Sequence, residues 1–239
     1  MKKVSLISVY NKPQLLNEMI ESAKKQKNVE VEFISIDNTN HQFSSASKAL
    51  NYGTDQATGE VIVYLHQDIE FMSDDVLEYI YDYATENKAT VFGSAGVNDK
   101  GTDKNPIILT AMYEYDDKNK TIDKPTKALT LDECLIACHK SCMEKLRFDE
   151  DVCDGWHLYG ADLCLQAINF AGMSVYAVPL NVWHKSSGCA DTSYFNTQDR
   201  LAEKYRKYHK VINTTNSFVY TNPLRRKLIR IYRKLRYKV

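Results

Sequence analysis

His66 and Asp68 are the residues of this chain whose types and spacing best suit metal binding. They follow the apolar run Val61–Leu65, which is typical of a strand buried on both faces. Side chains two residues apart at a strand end point the same way, because a strand alternates with a period of two. Mixed nitrogen and oxygen ligands favour Mn²⁺, whereas Mg²⁺ prefers oxygen alone. The alternative is that His66, Gln67 and Asp68 only cap the strand and its turn.

Polar residues also follow the two earlier predicted strands. The first strand ends in Tyr10 and Asn11, and the second ends in Asp37 and Asn38. Ligands of an open parallel sheet bind beyond the carboxyl ends of its strands, so these polar groups should converge at one edge. No glycine-rich phosphate loop follows the first strand, and the whole chain has only 9 glycines. The phosphates of a nucleotide bound here would therefore need a divalent cation.

Strands and helices alternate along the first part of the chain and would position these groups. Predicted strands are Val4–Val9, Val31–Ile36, Val61–Leu65 and Thr90–Ala95, and helices are predicted from Pro13, over Ser44–Ala57, and from an N-cap at Ser73. This order predicts an α/β fold with a mostly parallel sheet covered by helices. The second half is less regular, with predicted helices over Ala161–Ala171, ended by Gly172, and over Tyr194–Tyr208.

Three segments together resemble the successive signatures of family 2 glycosyltransferases of the GT-A fold. They are Val4–Asn11, Phe33–Asn38 and Ala57–Asp68, and the resemblance in order and spacing covers about residues 4 to 190. The third strand of that family usually ends in Asp-x-Asp. Here His66 stands at the first acidic position, which resembles a subgroup with a His-Gln-Asp variant. The resemblance implies a Rossmann-like domain over residues 1–210, with a nucleotide-sugar half (1–98) and an acceptor half (99–210).

The resemblance also implies roles for the donor-side residues. Asp37 is expected to contact the base or ribose of a nucleotide sugar, although an Asp-Asn pair is also a common turn former. The other expected donor-binding residues are Tyr10, Asn11, Asn38 and Gln67. Asp68 is the expected metal ligand, joined by His66 and by the late histidine His184.

Leu131–Cys138, followed by Arg147–Glu150, resembles the acceptor-side segment of the family, and a loop with Trp156, His157 and Tyr159 comes after it. The expected acceptor-binding residues are Asp132, Glu133, Trp156, His157 and Tyr159. Flat aromatic side chains of this kind stack on sugar rings, although in loops they often fill the edge of a core. Asp162 matches the acid that acts as general base, with Glu133, Asp132 and Asp154 as alternatives. The other interpretation of Asp162 is that it only stabilises the first turn of a helix.

These resemblances predict an inverting, metal-dependent glycosyltransferase that uses a nucleoside diphosphate sugar. We expect a UDP- or dTDP-linked donor, Mn²⁺ in preference to Mg²⁺, and a glycan or lipid-linked saccharide as acceptor in surface polysaccharide or glycoconjugate synthesis. One alternative is a non-catalytic protein that binds nucleotide sugars, since His66 replaces an acid. Another is a sugar nucleotidyltransferase, which the missing glycine-rich loop disfavours.

Charge is unevenly distributed along the 239 residues. Eight of the 31 basic residues lie in 223–239, which has no acid, so the remainder carries 23 basic against 31 acidic residues. An acidic body argues against nucleic-acid binding. In the basic extension, 211–239, apolar residues recur at helical spacing from Leu224. The helix is expected either to lie on an anionic membrane or to pack on its own domain or on a second subunit as a homodimer.

The chain is expected to work in the cytoplasm, and on the inner face of the plasma membrane if the basic helix binds lipid. Its 6 cysteines contain no CxxC pair, which favours reduced, buried thiols over a zinc site or a disulfide framework. No apolar run approaches the roughly 20 residues of a membrane-spanning helix.

Overall fold

The computed structural model describes residues 1–98, 107–114, 117–118, 121–185 and 192–237. The first elements are β1 (Lys3–Tyr10), α1 (Pro13–Ala23), β2 (Glu30–Asp37), α2 (Ala46–Gln56), β3 (Val61–Leu65), β4 (Ile69–Phe71), α3 (Val76–Glu86), β5 (Thr90–Gly93), β6 (Ala95–Val97), β7 (Ile108–Thr110), β8 (Tyr113–Glu114) and β9 (Asp117–Lys118). They are followed by β10 (Thr126–Lys127), β11 (Thr130–Leu131), β12 (Leu135–His139), α4 (Tyr159–Asn169), β13 (Ser174–Ala177), β14 (Val182–His184), α5 (Thr192–Lys204), β15 (Val211–Asn213), β16 (Phe218–Tyr220) and α6 (Pro223–Tyr237).

The central sheet has the strand order β10-β13-β5-β12-β3-β1-β2. Strands β1, β2, β3, β5 and β13 run in one direction, whereas β12 and β10 run against them. The predicted mostly parallel sheet is therefore confirmed. Strands β3 and β5 follow one another among the strands predicted for the first part of the chain. They are not neighbours in the sheet, because β12 lies between them.

Alternation along β3 explains the layers on the two faces of the sheet. Ile62 and Tyr64 pack into a buried cluster with residues of α2 and α4. Val61, Val63 and Leu65 pack into a second cluster with residues of α1 and α3. Each fully buried aliphatic side chain of this kind contributes about 1.5–3 kcal/mol to folding. Helices therefore cover both faces, and the carboxyl end of β3 is held between two packed cores.

Two local expectations differ from the structure. Asp75 rather than Ser73 is the N-cap residue of α3, and the Ser73 hydroxyl donates to Asp75 Oδ1 at 2.6 Å. The predicted strand Thr90–Ala95 is divided at Ser94 into β5 and β6, which belong to different sheets. The expected end of α4 is confirmed within two residues, since Gly172 has a φ of 66°.

The hairpin β15–β16 packs on the body of the domain. Ile212 and Val219 belong to a buried cluster with Leu201 and Ala202 of α5. The hydroxyl of Thr130 also donates to the carbonyl oxygen of Asn213 at 2.7 Å. The expected boundary at residue 210 thus divides residues that pack together, and the basic helix α6 begins only after the hairpin, at Pro223.

Five of the six cysteines lie in the described residues, where all five are buried and outside any disulfide. Within the same residues, every helix is too short or too polar to span a bilayer.

Candidate active site

Three side chains that the sequence marks as metal ligands meet at the edge of the central sheet. Ligand atoms of His66, Asp68 and His184 all lie within 4.8 Å of one another. His66 Nδ1 lies 3.4 Å from His184 Nε2, and that same His184 nitrogen lies 3.5 Å from Asp68 Oδ1. Two imidazole nitrogens and one carboxylate oxygen thus face a common point.

A turn and a long-range strand pairing bring this metal cluster (His66, Asp68 and His184) together. Residues 66–68 leave the end of β3 as a turn, so strand alternation is not the reason that His66 and Asp68 meet. The chain then enters β4, which pairs antiparallel with β14 so that His184 lies opposite Ile69. The amide of Lys185 donates to the carbonyl oxygen of Asp68 at 3.1 Å. Backbone pairing therefore holds Asp68 and His184 side by side, although they are 116 positions apart in the sequence.

The surroundings of His66 favour a neutral imidazole. Burial, and then the neighbouring His184, lower the pKa of His66 below its usual value. A neutral ring is the form that binds a metal, since ligands must be deprotonated. His66 Nε2 lies 3.2 Å from the Tyr159 hydroxyl, which fixes the orientation of the ring. This donor set fits a divalent transition ion such as Mn²⁺.

A first cavity of about 410 Å³ lies beside the metal cluster. Of the expected donor-binding residues, the structure brings Tyr10, Asn11, Asn38 and Gln67 to its wall. All of them lie at or just after the ends of β1, β2 or β3, which are parallel neighbours, so their strand ends meet at one edge. The expected convergence of strand ends is therefore seen for these four residues.

Gln67 and Asn38 hold the wall of the first cavity in place. Gln67 Oε1 accepts hydrogen bonds from the amides of Asn11 and Lys12 at 3.1 and 2.8 Å, and its Nε2 donates to Asn11 Oδ1 at 2.9 Å. Asn38 is buried, and its Oδ1 accepts from the amide of Phe43 at 2.8 Å. Gln67 therefore ties the loop after β1 to the end of β3, and Asn38 closes the loop after β2 on itself.

Asp37 lies apart from the first cavity. It is exposed and lines a separate depression on the outer side of β2. The backbone amide of Thr39, then its hydroxyl, lower the pKa of Asp37, and the Tyr10 hydroxyl is a further partner. Tyr10 is thus the link between Asp37 and the cavity wall.

A second cavity of about 550 Å³ meets the first at the metal cluster. His66, Glu133, Trp156 and His184 line both cavities. The expected acceptor-side residues divide between them: Asp132 and His157 line the second cavity, and Tyr159 lines the first. The His157 ring packs edge-on against Tyr194, with centroids 5.5 Å apart.

Glu133 lies at the junction of the two cavities and against the beginning of α4. Its Oε1 accepts the amide hydrogen of Gly160 at 3.2 Å. A side chain at position 160 would press within 2.9 Å of Glu133 Cγ, so the contact requires glycine. Burial, and then the charge of Asp132, raise the pKa of Glu133 to about 8. Glu133 can therefore bind and release a proton near neutral pH.

Asp162 does not join this arrangement. It is fully buried and lines neither cavity. Its carboxylate accepts hydrogen bonds from Lys204 Nζ at 2.7 Å, Tyr205 hydroxyl at 2.8 Å and Gln166 Nε2 at 2.6 Å. Burial raises the pKa of Asp162, and the Lys204 ammonium opposes that shift. In this structure the Asp162 carboxylate ties α4 to α5.

The hairpin turn supplies residues that the sequence analysis did not assign to the site. Thr214, Thr215 and Asn216 line the second cavity. The Thr215 hydroxyl donates to Asp132 Oδ2 at 2.7 Å. The pKa of Asp132 is lowered. Burial alone would raise it, but the hydrogen bonds from the Thr215 hydroxyl and the Cys134 amide outweigh that effect. A polar turn between Val211–Asn213 and Phe218–Tyr220 is a hairpin signal that could have located these residues.

Comparison with known proteins agrees with this architecture. ATP synthase subunits region ORF 6 of Fuscovulum blasticum is 27% identical over 190 residues, which are 74% of this chain and 72% of that protein. A crystal structure of GalNAc-T7 with UDP, GalNAc and Mn²⁺ has a TM-score of 0.62 at 12% identity, covering 85% of this chain and 48% of that one.

Two further solved structures share the fold. S. aureus TarS 1–349 has a TM-score of 0.54 at 13% identity, covering 84% of this chain and 64% of that one. The mannosyltransferase PcManGT from Pyrobaculum calidifontis, in complex with GDP-Man and Mn²⁺, has a TM-score of 0.52 at 14% identity, covering 84% and 61%. The chain thus spans less than two thirds of each of these structures, and the likeness confirms the expected GT-A fold.

The sequence of the domain matches one family model over most of its length. The match covers residues 5–212, which include the metal cluster and the walls of both cavities except for the hairpin turn at 214–216. The chain therefore belongs to the family described as glycosyltransferase like.

Proposed function

We propose that this protein is an inverting, metal-dependent glycosyltransferase that moves a sugar from a nucleoside diphosphate sugar to a hydroxyl group. The observation that carries the proposal is the position of the metal cluster, because His66 and His184 line both cavities. A site that joins two substrates must place the reacting bond where their cavities meet.

The first cavity is proposed to hold the nucleotide diphosphate. Its wall contains the polar groups of Asn11, Asn38 and Gln67, which suit hydrogen bonding to a base, a ribose or a phosphate. His66, Asp68 and His184 are the residues that would hold a divalent cation, with Mn²⁺ preferred over Mg²⁺ because two of the three ligands are imidazoles. Such a cation, when bound, supplies positive charge against the diphosphate that leaves the sugar. UDP- and dTDP-linked sugars are the proposed donors.

The second cavity is proposed to hold the acceptor, a glycan or lipid-linked saccharide. Trp156 presents an indole that is 40% exposed where the two cavities meet, and a flat exposed ring of this kind stacks on sugar faces. Asp132, His157 and the hairpin turn add polar groups around it. Surface polysaccharide or glycoconjugate synthesis would use an acceptor of this chemistry.

Glu133 is proposed as the general base in place of Asp162. Its carboxylate faces the junction of the cavities, whereas the Asp162 carboxylate is held by Lys204. In the reaction, Glu133 takes the proton of the acceptor hydroxyl as that oxygen bonds to the anomeric carbon. The bond between that carbon and the diphosphate oxygen breaks, and the nucleoside diphosphate leaves. Attack from the face opposite the leaving group inverts the configuration.

Donor consumption with purified protein tests the proposal. UDP-, dTDP- and GDP-sugars are each incubated with Mn²⁺, with Mg²⁺ and with chelator, and hydrolysis is measured as release of the nucleoside diphosphate, with water taking the place of the acceptor hydroxyl. We expect release from one donor class that stops with chelator. Thermal shift on the same mixtures reports binding separately. Donor binding without release under any condition would instead identify a non-catalytic nucleotide-sugar-binding protein, and consumption of a nucleoside triphosphate would identify a nucleotidyltransferase.

A further inference from the structure

The helix α6 is attached to the domain through one defined face. Arg226 is 13% exposed on its side chain and pairs with Asp199 at 3.6 Å and with Glu203 at 3.3 Å, both on α5. Its guanidinium also donates to the carbonyl oxygen of Thr221 at 2.7 Å. Ile229, one turn further along α6, is half-buried and lines a small pocket with residues of α5 and β16. The body of the domain therefore lies on the Arg226 side of the helix.

The opposite face of α6 carries an exposed apolar stripe. Leu224, Leu228 and Ile231 follow one another at helical spacing and are 73%, 66% and 46% exposed. Because Arg226 and Ile229 already hold the helix on its domain, this stripe is not the surface that packs on the body. Contiguous apolar side chains left in solvent mark an interaction surface.

Positive charge flanks the apolar stripe. At about 3.6 residues per turn, Arg225 and Lys227 fall on opposite sides of it, and both are exposed. Residues 223–237 contain seven basic residues and no acid. A second copy of this helix would bring the same charges against it, which disfavours a stripe-to-stripe dimer. A partner with an apolar interior and a negative surface complements both features.

A basic pocket lies beside the beginning of α6. It has a volume of about 410 Å³ and is lined by Arg206, Lys210 and Arg225 together with Tyr220. The Arg225 guanidinium lies 5.4 Å from the centre of the Tyr220 ring. Arg206 pairs with the exposed Glu203 at 3.3 Å, so one of the three cations is partly compensated. The pocket suits a phosphate group that arrives beside the stripe.

We propose that α6 and this pocket dock the protein on an anionic phospholipid bilayer. Leu224, Leu228 and Ile231 enter the boundary between headgroups and acyl chains, while the pocket cations take headgroup phosphates. Basic amphipathic helices bind membranes in this way, and each basic residue near an anionic surface contributes about 1 kcal/mol.

Docking would also place the acceptor cavity near the membrane. The hairpin β15–β16 runs from Lys210 and Thr221, beside the basic pocket, to the turn that lines the second cavity. Each of its strands has three residues, which span about 10 Å. If the proposed function holds, the acceptor is therefore a saccharide that the bilayer itself presents, such as a lipid-linked one.

Vesicle flotation of the full chain tests the docking. Vesicles of neutral phosphatidylcholine are compared with vesicles containing phosphatidylglycerol, at low and at high salt. We expect the protein to float with anionic vesicles, at least tenfold more than with neutral ones, and to be released by salt. Leu228→Glu, and separately Arg225→Glu with Lys227→Glu, should each reduce the bound fraction at least tenfold.

Lys24→Glu with Lys25→Glu is the matched control, because it makes the same charge change at exposed positions near the end of α1 and should leave flotation unchanged. Circular dichroism and thermal melting confirm that each variant is folded. Equal flotation with neutral vesicles, or full flotation of Leu228→Glu, would overturn the proposal. So would a concentration-dependent dimer, seen by light scattering, that Leu228→Glu abolishes. Donor hydrolysis is measured separately without vesicles, so a failure of docking is distinguishable from a failure of the proposed transfer activity.

Discussion

The two cavities that meet at the metal cluster are built in different ways. Asn11, Asn38 and Gln67 in the wall of the first cavity follow β1, β2 and β3, which are parallel neighbours in one sheet. The residues that line only the second cavity come from separate parts of the chain, including Asp132 before β12, His157 before α4 and the hairpin turn at Thr215. A strand-end rule therefore locates the first wall, while only long-range pairing locates the second.

Two carboxylates near the beginning of α4 show the same contrast on a smaller scale. Glu133 comes from the turn between β11 and β12 and lines both cavities. Asp162 belongs to α4 itself, yet its carboxylate is turned toward Lys204, the last residue of α5, and Tyr205, which follows it. Both carboxylates lie near the beginning of α4, so this position does not show which of them could act on a substrate. The surroundings of each side chain do show it.

The largest effect is expected for Glu133→Gln. The variant keeps the shape of the side chain but removes the group that accepts the acceptor proton, so turnover should fall by about 10³-fold. Donor binding should persist, because Glu133 is only one part of the first cavity. Steady-state transfer assays and a donor thermal shift measure the two quantities. Turnover within a factor of three of the wild type would remove Glu133 from the role of base.

Asp162→Asn should affect stability rather than chemistry. The amide cannot accept all three of the present hydrogen bonds, so the free energy of unfolding should fall by about 2 kcal/mol. Lys204 keeps Asp149 as a partner at 2.8 Å, which limits the loss. Urea unfolding measures this change. The control is Asp55→Asn, an exposed partner of Arg147 whose loss should cost less than about 1 kcal/mol.

Transfer activity per folded molecule decides between the two acids. If Asp162→Asn abolishes turnover while leaving stability unchanged, Asp162 is the base and the assignment of Glu133 is wrong.

The pH dependence of transfer should report the raised pKa of Glu133. A base must be deprotonated, and the pKa of Glu133 is raised to about 8 by burial and Asp132. With acceptor limiting, kcat/KM should therefore rise about tenfold per pH unit below that value and level off above it. Glu133→Gln should lack this rise. A profile that is already flat at pH 6 in the wild type would contradict the prediction.

The smallest effects are expected from residues that position the two walls. Thr215→Val removes the hydrogen bond to Asp132 Oδ2, so the acceptor KM should rise about tenfold while the donor KM stays constant, since a hydrogen bond to a charged group contributes about 1.5–3 kcal/mol. Gln67→Ala releases the amides of Asn11 and Lys12 and should raise the donor KM instead. If both variants change the same KM, the two cavities do not hold separate substrates.

Much of the fold and part of the site follow from local patterns. The apolar run Val61–Leu65 predicts β3 with the observed bounds, and the neighbouring strands and helices agree within a few residues. Residue type and spacing indicate His66 and Asp68 as ligands, and the family resemblance adds His184, but the three converge because β4 pairs with β14. Pairings between distant strands are decided by packing of the whole domain and leave no local pattern.

The orientation of a side chain is also set by its distant neighbours. A carboxylate at the beginning of a helix is stabilised there whether it faces solvent, substrate or another helix. The sequence around Asp162 therefore cannot show that Lys204, 42 positions away, binds its carboxylate. The sequence analysis does not predict the hairpin β15–β16, because its two short strands fall within the segment 211–239, which is interpreted as a basic extension.

Binding of Mn²⁺ tests the central claim most directly. Electron paramagnetic resonance of the free ion measures its uptake by the wild type, by Asp68→Ala and by His184→Ala, with His157→Ala as the control histidine outside the metal cluster. We expect one ion per chain in the wild type and in the control. Loss of either ligand should weaken binding by at least about 100-fold, since changes to groups around a ligand already cost 10 to 100-fold. Unchanged Mn²⁺ uptake in both ligand variants would contradict the account.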